Sequence, residues 1–170
     1  MKTKCLFLLS VLAVLIAFSG CKEYVHVGRN WDALHKIKAP EDSFQVKVTG
    51  TEKAGLGDSL NFNITSAQSG RLWVVQVDPA DTLNVLFPND AQKENAITAD
   101  TPLTIPPKGA DWEIAAGEPV GESLVAFIVT TGDTDLSDVL NRDKSMSKAI
   151  RIVAASPSWG MTRRIIDIQK

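Results

Sequence analysis

The chain has 170 residues, of which 44% are hydrophobic and 22% charged, with a formal net charge of −2. That balance supports an ordinary globular core and argues against the strongly basic surface by which proteins hold nucleic acid or anionic bilayers. Its two cysteines, Cys5 and Cys21, lie so close to the start that they leave any later domain without a disulfide.

Met1 to Lys4 is a short basic start, and an apolar run follows from Cys5 to Phe18. Leu6 to Phe18 is about thirteen residues where a spanning helix needs about twenty, so the segment reads as an export signal and not an anchor helix. Ser19-Gly20-Cys21 closes it, with small residues before a thiol that diacylglycerol can alkylate. Cleavage after Gly20 and lipidation of Cys21 are expected, with residues 1–20 the signal peptide. Each buried acyl methylene contributes about 0.8 kcal/mol, so the two or three chains of a bacterial lipoprotein hold it to the bilayer permanently. Lys22 in place of an Asp resembles the sorting pattern of enteric lipoproteins sent to the outer membrane, facing the periplasm or the cell surface. Loss of Lys2 and Lys4 takes the formal charge of the mature chain from −2 to −4.

Residues 21–42 read as a lipid-anchored linker ending near Pro40. As a coil it spans about 25 Å, and fully stretched about 70 Å. Within it Trp31, Leu34 and Ile37 recur every three residues, the spacing of one amphipathic turn. That turn is either a docking segment for a partner or a piece that folds back onto the domain. His26 and His35 have no ligand pattern around them and read as solvated.

From Ser43 the period becomes two. Phe44, Val46 and Val48 alternate with polar residues, as do Leu60, Phe62 and Ile64, with the polar stretch Gly50 to Asp58 as a loop between them. Arg71 to Val77 is apolar on both faces, which places it inside a sheet covered on both sides. Asp78-Pro79-Ala80-Asp81 turns the chain into Leu83 to Phe87. Further short runs follow at Leu103 to Ile105 and Trp112 to Ile114, and then the long β-branched run Leu124 to Thr131. Helical spacing first appears in Asp135 to Leu140 and Met146 to Val153, with caps available from Asp133 or Thr134 and from Asp143 or Ser145. Trp159 to Gln169 returns to strand, with Ile166 and Ile168 on one face and Ile165 out of phase. The expected fold is mainly β: an antiparallel β-sandwich of Ig-like or Greek-key type over residues 43–170, with a late helical insertion near residues 134–155.

Five blocks stand in order: Gly70-Arg71-Leu72-Trp73-Val74-Val75-Gln76-Val77, Val85-Leu86-Phe87-Pro88-Asn89, Asn95-Ala96-Ile97, Leu103-Thr104-Ile105-Pro106 and Gly121 to Val129. Together they resemble a bacterial domain family of unknown function marked by a Leu-Phe-Pro-Asn core. The resemblance covers about Ser43 to Thr131 and leaves out Asp133 to Ser158. It implies an accessory β-domain, found in exported lipoproteins and in regulatory multidomain proteins, and no enzymatic activity. In the signature, Leu86 and Phe87 are expected on opposite faces of a strand. Pro88 stops the ladder, Asn89 bonds the following turn, and Asn95 serves that turn from its other end. The alternative is a ligand-binding loop from Asn89 to Asn95.

Catalysis finds little support. Hydrolytic triads need a base beside a nucleophile, and after Asp42 the chain has neither histidine nor cysteine. Asp78 with Asp81, and Asp133 with Asp135, sit in expected turns; no EF-hand spacing or phosphate loop is present. Arg163-Arg164 reads as a solvated pair. No cofactor and no metal are expected. Two functions remain. One is an envelope lipoprotein whose domain docks a protein partner, by sheet-edge pairing or through Trp73, Trp112 or Trp159, with Trp31 in the linker and Trp159 beside Pro157 the best placed to be exposed. The other is a carrier of a small apolar ligand or a carbohydrate.

Overall fold

The computed structural model describes residues 28–170. The signal, Gly20, Cys21 and His26 lie outside the described residues. Helix α1 (Arg29–Lys36) is followed by strands β1 (Val46–Gly50), β2 (Lys53–Gly55), β3 (Ser59–Leu60), β4 (Phe62–Ser66), β5 (Gly70–Val77), β6 (Leu83–Phe87), β7 (Ala96–Ile97), β8 (Leu103–Ile105), β9 (Ile114–Ala115) and β10 (Gly121–Thr130). A π-helical turn (Val139–Asp143), helix α2 (Met146–Ala154) and strand β11 (Trp159–Gln169) complete the order.

These elements form three layers. A small antiparallel sheet of order β1-β4-β8 faces a large sheet of order β2-β11-β10-β5-β6, with β7 added beside β5 and a separate β3-β9 ribbon. Alternation in β1 and β4 turns Val46, Val48, Phe62 and Ile64 inward, and they pack with Val74, Phe87, Phe127 and Ile166 of the large sheet. Phe62 and Phe127 meet edge to face with ring centroids 5.1 Å apart, a geometry aromatic quadrupoles favour. The mainly β, sandwich-like architecture expected from the period-two runs is present.

A second core explains why β5 and β10 are apolar on both faces. Trp73, Val75 and Val77 of β5, with Leu124, Ala126 and Ile128 of β10, point away from the small sheet. They are covered by Leu34 of α1, by Leu136, Val139 and Leu140, and by Met146, Ala149 and Val153 of α2. The helical insertion therefore forms the third layer. Ser145 caps α2, its Oγ accepting from the Lys148 N–H at 3.4 Å. The first expected helix is only the π-helical turn, and Thr134 does not cap it: its hydroxyl lies 2.7 Å from that of Ser156.

Three further expectations about the elements need correction. The linker expected over residues 21–42 stops short of α1, which packs on the large sheet with Leu34 fully buried, so Trp31, Leu34 and Ile37 fold back onto the domain. The stretch Gly50 to Asp58, expected as a loop, contains β2, which pairs with β11 in parallel and so breaks the antiparallel pattern. Trp159, expected at the surface, is 5% exposed: it stands opposite Thr130 at the start of β11 and faces the helical layer. Ile165, out of phase with Ile166 and Ile168, is exposed as its position requires.

Candidate functional site

The Leu-Phe-Pro-Asn segment ends β6, the terminal strand of the large sheet. The register between β5 and β6 slips at this point: Val75 faces Val85 and Val74 faces Phe87, leaving Leu86 as the extra residue of a β-bulge. A bulge interrupts the alternation of side chains. Phe87 is thus delivered, fully buried, into the core between the sheets, and Leu86 packs partly against the same core. The two side chains do not divide between opposite faces as simple alternation predicts.

Beyond Pro88, Asn89 builds the turn. Its Oδ1 accepts from the N–H groups of Ala91 and Gln92 at 3.1 and 2.9 Å, and its Nδ2 donates to the Leu86 carbonyl at 3.3 Å. Asn95 does something different from what its position suggests. Its Nδ2 donates to the Leu72 carbonyl at 3.1 Å while its own carbonyl accepts from the Leu72 N–H at 2.8 Å, so it fastens the loop to β5 and not to the Asn89 turn. The loop is thereby held at both ends.

This loop forms one wall of a polar groove. Two adjoining cavities of about 420 and 580 Å³ share Pro88, Lys93 and Ser137. Arg71, Glu94 and Asp135 line the first, and Val85, Asp90 and Asn141 the second. The opposite wall is the start of the helical insertion. There Asp135 Oδ1 accepts from the Ser137 N–H at 2.8 Å. That backbone N–H holds the Asp135 carboxyl below its ordinary 3.8, the Ser137 hydroxyl adds to the effect, partial burial opposes it, and the positive charge of Arg71 adds a smaller share. None of the ion pairs among the described residues engages Arg71, Lys93, Glu94 or Asp90. The groove thus presents two cations and three carboxylates beside the outer edge of β6.

The other singled-out residues take structural positions. Trp73 is buried, its Nε1 donating to Thr130 Oγ1 at 3.3 Å. Trp31 is half-buried in α1. Asp78 closes its own turn, accepting from the Ala80 and Thr82 N–H groups at 2.9 and 2.8 Å. Asp81 reaches across to α1 and accepts from the Trp31 and Asn30 N–H groups at 2.8 and 3.2 Å, satisfying donors that a helix start leaves unpaired. Gly28 makes room for it, since a Cβ there would lie 1.9 Å from Asp81 Cγ. Arg163, expected to be solvated, serves the other end of α1: its Nη1 donates to the Leu34 carbonyl at 2.7 Å and to that of His35. Arg164 bonds the Val48 carbonyl and pairs with Glu52 at 2.6 Å. Among the described residues no three His, Cys, Asp or Glu side chains gather as a metal site would require.

Comparison with known proteins bears on the segment that contains this loop. Residues 55–133 match the family model of DUF4384, a domain of unknown function. The DUF4384 match includes β5, β6 with its bulge, the Asn89 turn and all of β10, so it covers one wall of the groove and both central strands. It ends before Asp135, so the other wall lies outside the DUF4384 segment, as does α1. No curated protein matches the chain.

Proposed function

We propose that this protein is a bacterial envelope lipoprotein, anchored through acylated Cys21, whose non-catalytic β-domain is a docking module for another envelope protein. The docking surface is the free edge of β6 together with the groove beside it. What carries the reading is that, among the described residues, β6 ends the large sheet with no strand on its outer side, next to a groove lined by charges without ion-pair partners. A strand edge offers a row of backbone donors and acceptors to an extended segment, and the flanking pockets select its side chains. Burial of Trp73 and Trp159 leaves Trp112 alone of the three tryptophans at the surface, which favours the strand edge over a tryptophan-lined surface as the route to docking. The polar lining also speaks against an apolar cargo at this groove. Support for the envelope location comes from the basic start, short apolar run and Ser19-Gly20-Cys21 of the sequence. Attachment is to the bilayer through the acyl chains, and neither a nucleic acid nor a cofactor takes part.

Photoreactive residues placed at Asp90 and at Asn141, exposed positions in the groove, test the docking surface in intact cells. Both should yield a covalent adduct with the same envelope protein, while exposed Thr98 should not. Absence of an adduct from both groove positions would overturn the reading.

A further inference from the structure

A second cleft lies away from both the β6 edge and the helical layer, and it is built differently. Its volume is about 480 Å³, and its walls come from the β3-β9 ribbon, the end of β8 and the loop after it. Trp112 is its centre. Every other tryptophan and phenylalanine from Phe44 onward is buried, whereas Trp112 packs partly against the core between the sheets and also lines the cleft. Its indole N–H finds no acceptor among the described residues. An aromatic body with an unused polar tip at a concave surface suits a ligand that is itself apolar on one side and polar at its rim.

The residues around Trp112 supply short, planar or hydroxylic polar groups. Asn61 donates from Nδ2 to the Ser59 carbonyl at 3.3 Å, which orients the amide, and its Oδ1 is left without a partner among the described residues. Glu113 is bonded to the Ser59 hydroxyl, and Thr104 accepts from Asn63 Nδ2 at 3.3 Å. Pro106 and Pro107 stiffen one wall, their ring-fixed φ angles leaving little to order on binding. Lys108 and Glu113, both in the lining, offset one another in charge.

We propose that this cleft is a binding subsite for a neutral oligosaccharide. The C–H face of a pyranose ring lies against the Trp112 indole, and its hydroxyls bond the Asn61 amide, the Glu113 carboxylate and the indole N–H. An apolar ligand would strand these polar groups, and an anion would meet Glu113 as well as Lys108. A polyproline segment needs a groove lined by several aromatic rings, and here there is one. The subsite does not depend on docking at β6, so its failure leaves the Asp90 and Asn141 crosslinks untouched.

The test is calorimetric titration of the full chain, held in a detergent without a sugar headgroup, with the N-acetylglucosamine tetramer and with cellotetraose. At least one should bind. Trp112→Ala should weaken that binding by about tenfold or more, and Trp112→Tyr should retain most of it. Because Trp112→Ala also removes a residue packed on the core, Asn61→Ala, at an exposed position, provides the second variant and should weaken binding with an unchanged melting temperature. The proposal is overturned if neither oligosaccharide binds the wild type. It is equally overturned if Asn61→Ala and Trp112→Tyr bind as the wild type while Trp112→Ala stays folded and does too, or if a proline-rich peptide binds here and the sugars do not.

Discussion

Asp135 shows how one side chain reports on the groove wall it belongs to. Its carboxyl is held below its ordinary value chiefly by the Ser137 N–H, so the charged form is favoured in the folded state. A group whose folded pKa is depressed contributes stability above its unfolded pKa and loses it as pH falls through the folded one. Asp135→Asn should therefore cost stability at pH 7, where the contribution of the charged carboxyl is fully present, and progressively less below about pH 4, which flattens the acid limb; denaturant melts across that range would read it, and an unchanged acid limb would refute it. Legibility at this scale followed chain distance. Asn89 was readable because its partners, Leu86, Ala91 and Gln92, are at most three residues away. Asp81 and Arg163 were not, because each caps α1 from a distant part of the chain, 50 and 129 residues off in sequence. Groove residues such as Arg71 and Lys93 gave no sign of convergence either, since it takes the β5 to β7 pairing to bring them together.

Among the elements, α1 depends most on others. An eight-residue helix is marginal alone, so its existence rests on packing and on its remote caps. Leu34→Ala should cost about 2–5 kcal/mol by opening a cavity under the helix, and Asp81→Ala about 0.5–2 kcal/mol by unpairing its first turn. Equilibrium unfolding would measure both, and a Leu34→Ala variant as stable as the wild type would show that α1 is not part of the cooperative unit. Strands β1, β4, β5, β6, β10 and β11 were legible because each buries a face or two with regular alternation. What escaped was whatever interrupts regularity. The bulge at Leu86, the parallel pairing of three-residue β2, and the π-helical turn in place of a first helix are all decided by neighbours remote in sequence. Periodicity also said nothing of the layer to which the insertion belongs, although continuous apolarity in β5 and β10 required that some layer be there.

At the scale of the whole molecule, the proposed anchor at Cys21 stands few residues before the folded domain. Since α1 is part of the folded unit, the proposed tether shrinks from residues 21–42 to the steps between Cys21 and Gly28, which span at most about 25 Å when stretched. The Trp112 cleft is built from residues that belong neither to the helical layer nor to the large sheet. Cys21→Ser should move the protein from the membrane fraction to the soluble one without altering its melting temperature. Retention in the membrane after a high-salt wash would show that something other than the acyl chains holds it.

The position of β11 carries a consequence for how such a chain is made. It is last in chain order, yet it sits between β10 and β2, and its Ile166 and Ile168 fill the core between the sheets. Until it arrives, β2 has no place in the large sheet and one edge of β10 is unpaired. If the chain is exported N-terminus first, as the lipoprotein proposal requires, the large sheet cannot close before β11 has emerged. Under that proposal a chain in transit would stay open along one edge of its central strand β10, and so remain threadable, until its last-placed strand is delivered.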